Sequence, residues 1–284
     1  MSDKSTFNLK KFDINSIEDH SAICMIAKRG SGKSFCLRDI MSRLTIPCGI
    51  VIAPTDKLNG FFDSFVPSCY IYYEYNSNIL MKLFKRQEFI IEKNKERIKN
   101  KKKPIDTRAF LIMDDCLASK GSWSKDKWIL ELLQNGRHYH ILYILTMQFS
   151  LGISPELRSN FDYIFLCGED FITNQKRLYE HYAGMFPSFE VFKKVFYAVT
   201  DDYGIMVLNN KKRSKNIIDK VFWYKAIEPK HFIIGSESYK KFNEKNYNPF
   251  WHKKDKLFDV DEYLLKKNKF CIEVNLDDSN SPNQ

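Results

Sequence analysis

Lys33 and Ser34 close a glycine-bearing loop, Ala27-Lys28-Arg29-Gly30-Ser31-Gly32, that follows an apolar run beginning at Ala22. Next comes a segment with helical apolar spacing, Phe35 to Leu44. A lysine and then a hydroxyl at a strand–loop–helix junction suit a triphosphate. The loop's N–H groups and the helix dipole attract anions. In such a site Lys33 reaches the β- and γ-phosphates, and the Ser34 hydroxyl is a ligand for Mg²⁺. The template asks for Gly, four residues, then Gly-Lys-Ser/Thr. Here Gly32, Lys33 and Ser34 fit, but Ala27 stands where the first glycine belongs. Alanine narrows the allowed backbone angles, and Gly30 is expected to supply the freedom instead. A chance turn before a helix reads the same way, so the argument needs partners elsewhere in the chain.

A hydrolytic site needs acids at a second strand end. Phe110-Leu111-Ile112-Met113 leads into Asp114-Asp115. The apolar residues bury a strand, and the carboxylates emerge at its ligand edge. Asp114 suits the Mg²⁺ shell, and Asp115 suits a general base for water. Acid pairs also end strands as simple turn formers. A further apolar run, Ile141 to Met147, ends in Gln148, which is placed to touch a γ-phosphate and water; Thr146 could share that role. Arg137, after Gly136, and Arg158, on a short turn opened by Ser154-Pro155, are rival candidates for an arginine completing a neighbouring subunit's site. A salt bridge to an acid such as Asp162 is the plainer role for either. Lys28 and Arg29 add two cations to the loop. For Lys28 a solvated loop charge is the preferred reading. His138 and His140 lack further ligands at metal spacing and read as helix-end polar residues.

These residues need a scaffold that brings strand ends together. Apolar runs at Cys48–Pro54, Cys69–Tyr75, Phe110–Leu117, Ile141–Met147, Tyr163–Cys167 and Tyr203–Leu208 read as strands. Helical patterns at Ile79–Asn100, Lys125–Gln134, Thr173–Tyr182 and Phe189–Val199 alternate with them. This alternation predicts an α/β fold with a mostly parallel central sheet flanked by helices and ligands at the strands' carboxyl ends. A chain of 284 residues, 44% hydrophobic, suffices for one large domain. Residues 1–20 read as a lead-in, 21–227 as the nucleotide-binding domain, and 228–284 as an irregular appendage with a disordered end. The seven cysteines are scattered with no paired metal spacing; Cys24, Cys36, Cys116 and Cys167 sit in apolar runs and read as core residues, which suits a reducing compartment. No signal peptide or membrane-spanning run is visible. A formal charge of +10 favours a polyanionic partner such as nucleic acid. Lys93–Lys103, with seven basic residues and one acid, and Lys211–Lys215 are its candidate contacts, against the plainer reading of solvated faces.

AKRGSGKS, FLIMDDCL, NGRHYHILYILTMQ, LRSNFDYIFL and VFWYKA, in that order, resemble the genome-packaging ATPases of large nucleocytoplasmic DNA viruses, a branch of the FtsK/HerA translocases among the RecA-like, ASCE-class P-loop NTPases. The resemblance covers roughly residues 20 to 227. It implies ATP and Mg²⁺ as cofactors, double-stranded DNA and viral capsid proteins as partners, and a homo-oligomeric ring. It also implies a place in the host cytoplasm, at a viral factory, with association with the virion. Carried across, Lys33, Ser34, Asp114, Asp115 and Gln148 take the roles above, and Arg137 becomes the first candidate for the trans-acting arginine. Two departures are Ala27 and the second acid, Asp115, where the wider branch has Glu. A helicase, a nucleotide kinase, or a non-catalytic nucleic-acid-binding protein with a degraded loop are the alternatives.

Overall fold

The strands are β1 (Ala22–Ile26), β2 (Gly49–Ile52), β3 (Ile71–Tyr72), β4 (Ala109–Asp114), β5 (Ile141–Met147), β6 (Tyr163–Cys167), β7 (Ile205–Asn209) and β8 (Val221–Tyr224). The computed structural model describes residues 7–116, 123–148 and 153–250. Among these residues the strands form one sheet in the order β3-β2-β4-β5-β1-β6-β7-β8. From β3 to β6 every pairing is parallel, and β7 is antiparallel to both of its neighbours. β1 therefore lies between β5, in the register Ile26↔Met147, and β6.

The strands are apolar throughout because both faces are covered. Alternate side chains divide between two cores. Cys24, Ile26, Leu111, Met113, Tyr143 and Leu145 face one core with α3 (Ser77–Lys99), α4 (Lys127–Asn135), α6 (Ile172–Tyr182) and α7 (Phe189–Thr200). Ile23, Met25, Val51, Ile112 and Ile144 face the other, with α1 (Lys33–Arg43) and the segment bearing Phe12, Ile14 and Ile17. Side-chain caps set the helix starts. Asn76 accepts from the Asn78 amide before α3, and Asp126 accepts from Trp128 before α4. The short helices α2 (Asp56–Asn59) and α5 (Pro155–Arg158) connect strands.

Several expectations are corrected. The run Cys69–Tyr75 yields only the two-residue edge strand β3. Residues 68–70 form a 3-10 turn, and Asn76 then turns the chain into α3. Tyr203 lies in a turn, and β7 starts at Ile205. Tyr203–Leu208 was expected to be the last strand, but β8 follows it. It is four residues long, and its outer edge is covered by residues 10–12: the Phe12 amide donates to Trp223 O at 2.8 Å, and the Trp223 amide to Lys10 O at 3.1 Å. Residues 10–17 are thus woven into the fold. The region past residue 227 is not irregular throughout. It carries α8 (Glu237–Asn246), whose buried Tyr239 donates its hydroxyl to Gly49 O at 2.8 Å and stacks on Tyr70 at 3.8 Å between centroids. The first compact unit runs to Lys245, and a second comprises 246–284. The expected lead-in residues 1–6, the strand end at Leu117, Cys271 and the disordered tail within 251–284 lie outside the described residues.

Candidate nucleotide site

β1, β4 and β5 end side by side, so the loop after β1, the acids after β4 and the polar residues ending β5 meet at one edge of the sheet. They line a cleft of about 670 Å³ with Thr55, Asp56, Phe35 and Tyr203. That volume suits a nucleotide-sized ligand.

Ala27 is not part of the turning loop. It is buried, and its amide donates to Met147 O at 3.0 Å, prolonging β1. The turn is made at Gly30 (φ 78°) and Gly32 (φ 87°), left-handed conformations that favour glycine. Gly32 caps α1, so Lys33 and Ser34 are its first residues and their N–H groups belong to its unpaired first turn. Ser31 folds back, its hydroxyl donating to Lys28 O at 2.7 Å.

The Lys33 ammonium sits between both acids, 3.1 Å from Asp114 Oδ1 and 2.9 Å from Asp115 Oδ2. It also donates to Thr146 Oγ1 at 3.1 Å. The Thr146 hydroxyl, fully buried, donates onward to Asp114 Oδ1. Gln148 Nε2 donates to Asp115 Oδ2 at 2.8 Å. Asp115 adopts φ 50°, a rare conformation for a residue with a side chain and one that recurs at functional sites. One ammonium facing two carboxylates leaves a net negative charge. With the Ser34 hydroxyl in the same cleft, the donor set is all oxygen and suits a hard divalent cation such as Mg²⁺, which uses few protein ligands.

Asp56, also buried, accepts from the Phe61 and Phe62 amides at 2.7 and 3.2 Å and so folds the loop after α2; burial pushes its carboxyl above the usual range, against those bonds. Burial pushes the Cys116 and Cys167 thiols up to about 12, so neither is a nucleophile here. Lys28, expected to be solvated, is ion-paired with Asp170, which follows β6. Arg29 is exposed and lines the cleft.

Neither rival arginine enters this cleft. Arg137 is exposed on the 3-10 turn Gly136–Tyr139 that leads into β5. It therefore lies at the amino edge of the parallel strands, a seven-residue strand away from Gln148. Arg158 also precedes its strand; its Nε donates to Ile153 O at 2.9 Å, and its guanidinium lies over the Tyr182 ring at 5.5 Å. His140 Nδ1 is 2.6 Å from Thr107 Oγ1.

Sequence reasoning did not anticipate Asp56, Tyr203 and Phe35 at the cleft. It paired Thr146 with Gln148, whereas Thr146 joins Lys33 to Asp114. An aliphatic hydroxyl near the end of the otherwise apolar and aromatic run Ile141–Met147 was the available signal.

The chain is 47% identical to the uncharacterized protein L437 of Acanthamoeba polyphaga mimivirus, over 95% of this chain and 96% of that one. It is 33% identical to the uncharacterized protein 075L of Invertebrate iridescent virus 6, over 89% of this chain and all of that one. Among solved structures, the genome packaging NTPase B204 from Sulfolobus turreted icosahedral virus 2, in complex with AMP, matches with a TM-score of 0.50 at 15% identity, over 74% of this chain and 100% of that one. The pCW3 conjugation coupling protein TcpA, with ATPgS, matches with a TM-score of 0.51 at 12% identity, over 74% and 61%. Such likeness shows the fold, a mostly parallel α/β sheet shared with nucleotide-binding proteins. The model of the poxvirus A32 protein family matches residues 9–177, and the chain belongs to that family.

Proposed function

We propose that this protein is an ATP-hydrolysing motor that drives double-stranded viral DNA into a capsid as a ring of identical chains. Family membership and the fold shared with a genome packaging NTPase support the reading. The observation that carries it is Lys33 held between Asp114 and Asp115 at a glycine loop, with Gln148 bonded to Asp115.

A triphosphate entering the loop draws Lys33 from the acids to its β- and γ-oxygens. This frees the Asp115 carboxylate, which accepts a proton from water that Gln148 helps to orient. Asp114 and Ser34 would hold Mg²⁺, which would supply neutralising charge at the phosphates. Arg137 of one chain completes the site of the next. Lys93–Lys103 and Lys211–Lys215 contact phosphates without reading sequence.

Purified protein should hydrolyse ATP, and duplex DNA at low salt should stimulate it. Lys33→Ala should lower kcat by at least ~10²-fold, as loss of a charge-stabilising donor does. Unchanged turnover in that variant overturns the site. Turnover indifferent to duplex DNA overturns the motor, and DNA binding without turnover favours the non-catalytic alternative.

A further inference from the structure

Hydrolysis calls on one flank of the loop. In the sheet order, β5 and β4, which carry Gln148, Asp114 and Asp115, lie on one side of β1; β6 and β7 lie on the other. Tyr203 stands at the head of β7 on that second flank and lines the same cleft. Its ring faces Gly32: a Cβ built on that glycine would lie 3.5 Å from Tyr203 Cδ1. Phe35, on the first turn of α1, lines the cleft as well.

Tyr203 is 66% exposed, although it is a large aromatic. The backbone holds it there at a cost. Asp202 (φ 46°) and Tyr203 (φ 60°) are consecutive left-handed residues, and neither is glycine. Two devices impose the turn. Asp202 is ion-paired with Lys225, which follows β8. Gly204 packs so closely that a Cβ would lie 1.9 Å from Val199 O, and its amide donates to Asp201 O at 2.9 Å. The ring that this strained turn presents is solvent-facing and not packed in the core.

We propose that Tyr203 is the platform on which the base of the bound nucleotide stacks, and that the strained turn exists to hold it beside the phosphate loop. The inference rests on reading the cleft as an ATP site. A triphosphate anchored by Lys33 and the loop amides, with its γ-end toward Asp115 and Gln148, directs its nucleoside toward the opposite flank. There an exposed aromatic face stands ready to stack. Stacking serves any planar base, so Tyr203 adds affinity through the base and makes no contact with phosphate.

The test compares two ligands that differ in the nucleoside. Calorimetric titrations with ATP and with inorganic tripolyphosphate are run on the wild type, Tyr203→Ala, Tyr203→Phe and Lys33→Ala. Tyr203→Ala should weaken ATP by at least ~5-fold, the low end for a base–aromatic stack, and leave tripolyphosphate within two-fold. Tyr203→Phe should keep both affinities. Lys33→Ala should weaken both ligands. Equal weakening of ATP and tripolyphosphate by Tyr203→Ala, or no weakening of ATP, overturns the base platform while leaving the ATP site standing. Failure of the wild type to bind either ligand overturns the ATP-site reading itself.

Discussion

Ala27 carries a lesson about what a motif position demands. A glycine is needed there only if the backbone must turn, and in this chain it still runs as strand, its amide bonded to Met147 O at 3.0 Å. The turn is deferred to Gly30 and Gly32. Ala27→Gly should therefore leave ATP affinity unchanged and destabilise the fold by about 0.5–1 kcal/mol, through added freedom of the unfolded chain, read as a lower midpoint in urea. Lys33, Ser34, Asp114 and Asp115 were legible in the sequence because they neighbour one another along the chain at two strand ends. Thr146's link from Lys33 to Asp114 and Tyr203's place at the cleft were not, because both depend on proximity across the sheet. A threonine inside an apolar run also reads as strand, and Tyr203 reads as the first residue of a strand, with no hint of the turn or of which way its ring points.

Among the elements, α3 keeps close to its expected span, Ile79–Asn100, and the structure adds how its basic end is fastened. Its basic end is an ordered arm. The Asn94 side chain bonds both the amide and the carbonyl of Ile105, at 2.8 and 2.7 Å, and Arg97 Nε donates to Lys103 O at 2.8 Å. Lower on the same helix, fully buried Gln87 donates from Nε2 to Thr107 O at 2.7 Å and to Tyr139 O at 2.6 Å. It thereby ties the return of the arm to the turn that carries Arg137. Gln87→Leu takes this donor from two partly buried carbonyls and leaves an apolar side chain in its fully buried place. At about 1–3 kcal/mol for each, it should be among the costly single changes, measured as a drop in the urea midpoint; a loss near zero would mean that water replaces the amide. The long helix and the parallel strands were readable from periodicity because they repeat over many residues. β3 and β8, two and four residues long, offer too few repeats for a pattern, and α8 has its single buried anchor in Tyr239.

At the scale of the whole sheet, the cations proposed to meet partners lie apart from the cleft. The cleft is at the carboxyl edge of the parallel strands. Arg137, Arg158 and the return of the Lys93–Lys103 arm precede β5, β6 and β4, and Lys211–Lys215 follows the antiparallel β7, so all belong to the amino edge. Part of that charge is already matched, since Lys211 pairs with Glu18 at 2.5 Å. If Arg137 serves a neighbouring chain, two inactive variants should complement each other. A Lys33→Ala chain keeps its arginine, and an Arg137→Ala chain keeps its loop. Mixed in one assembly they should recover a measurable share of turnover, whereas each alone stays silent; mixed assemblies without recovery would exclude Arg137 from that role. β5 is seven residues long, so it holds Arg137 about 23 Å from its own phosphate loop at roughly 3.3 Å per residue. That span acts as an interlock. If Arg137 serves a neighbouring chain, a lone subunit would lack one group for hydrolysis, because its own arginine is on its far side. On that reading turnover per chain should rise with concentration, and copies outside an assembly would leave ATP alone; turnover per chain that is independent of concentration would exclude the arrangement.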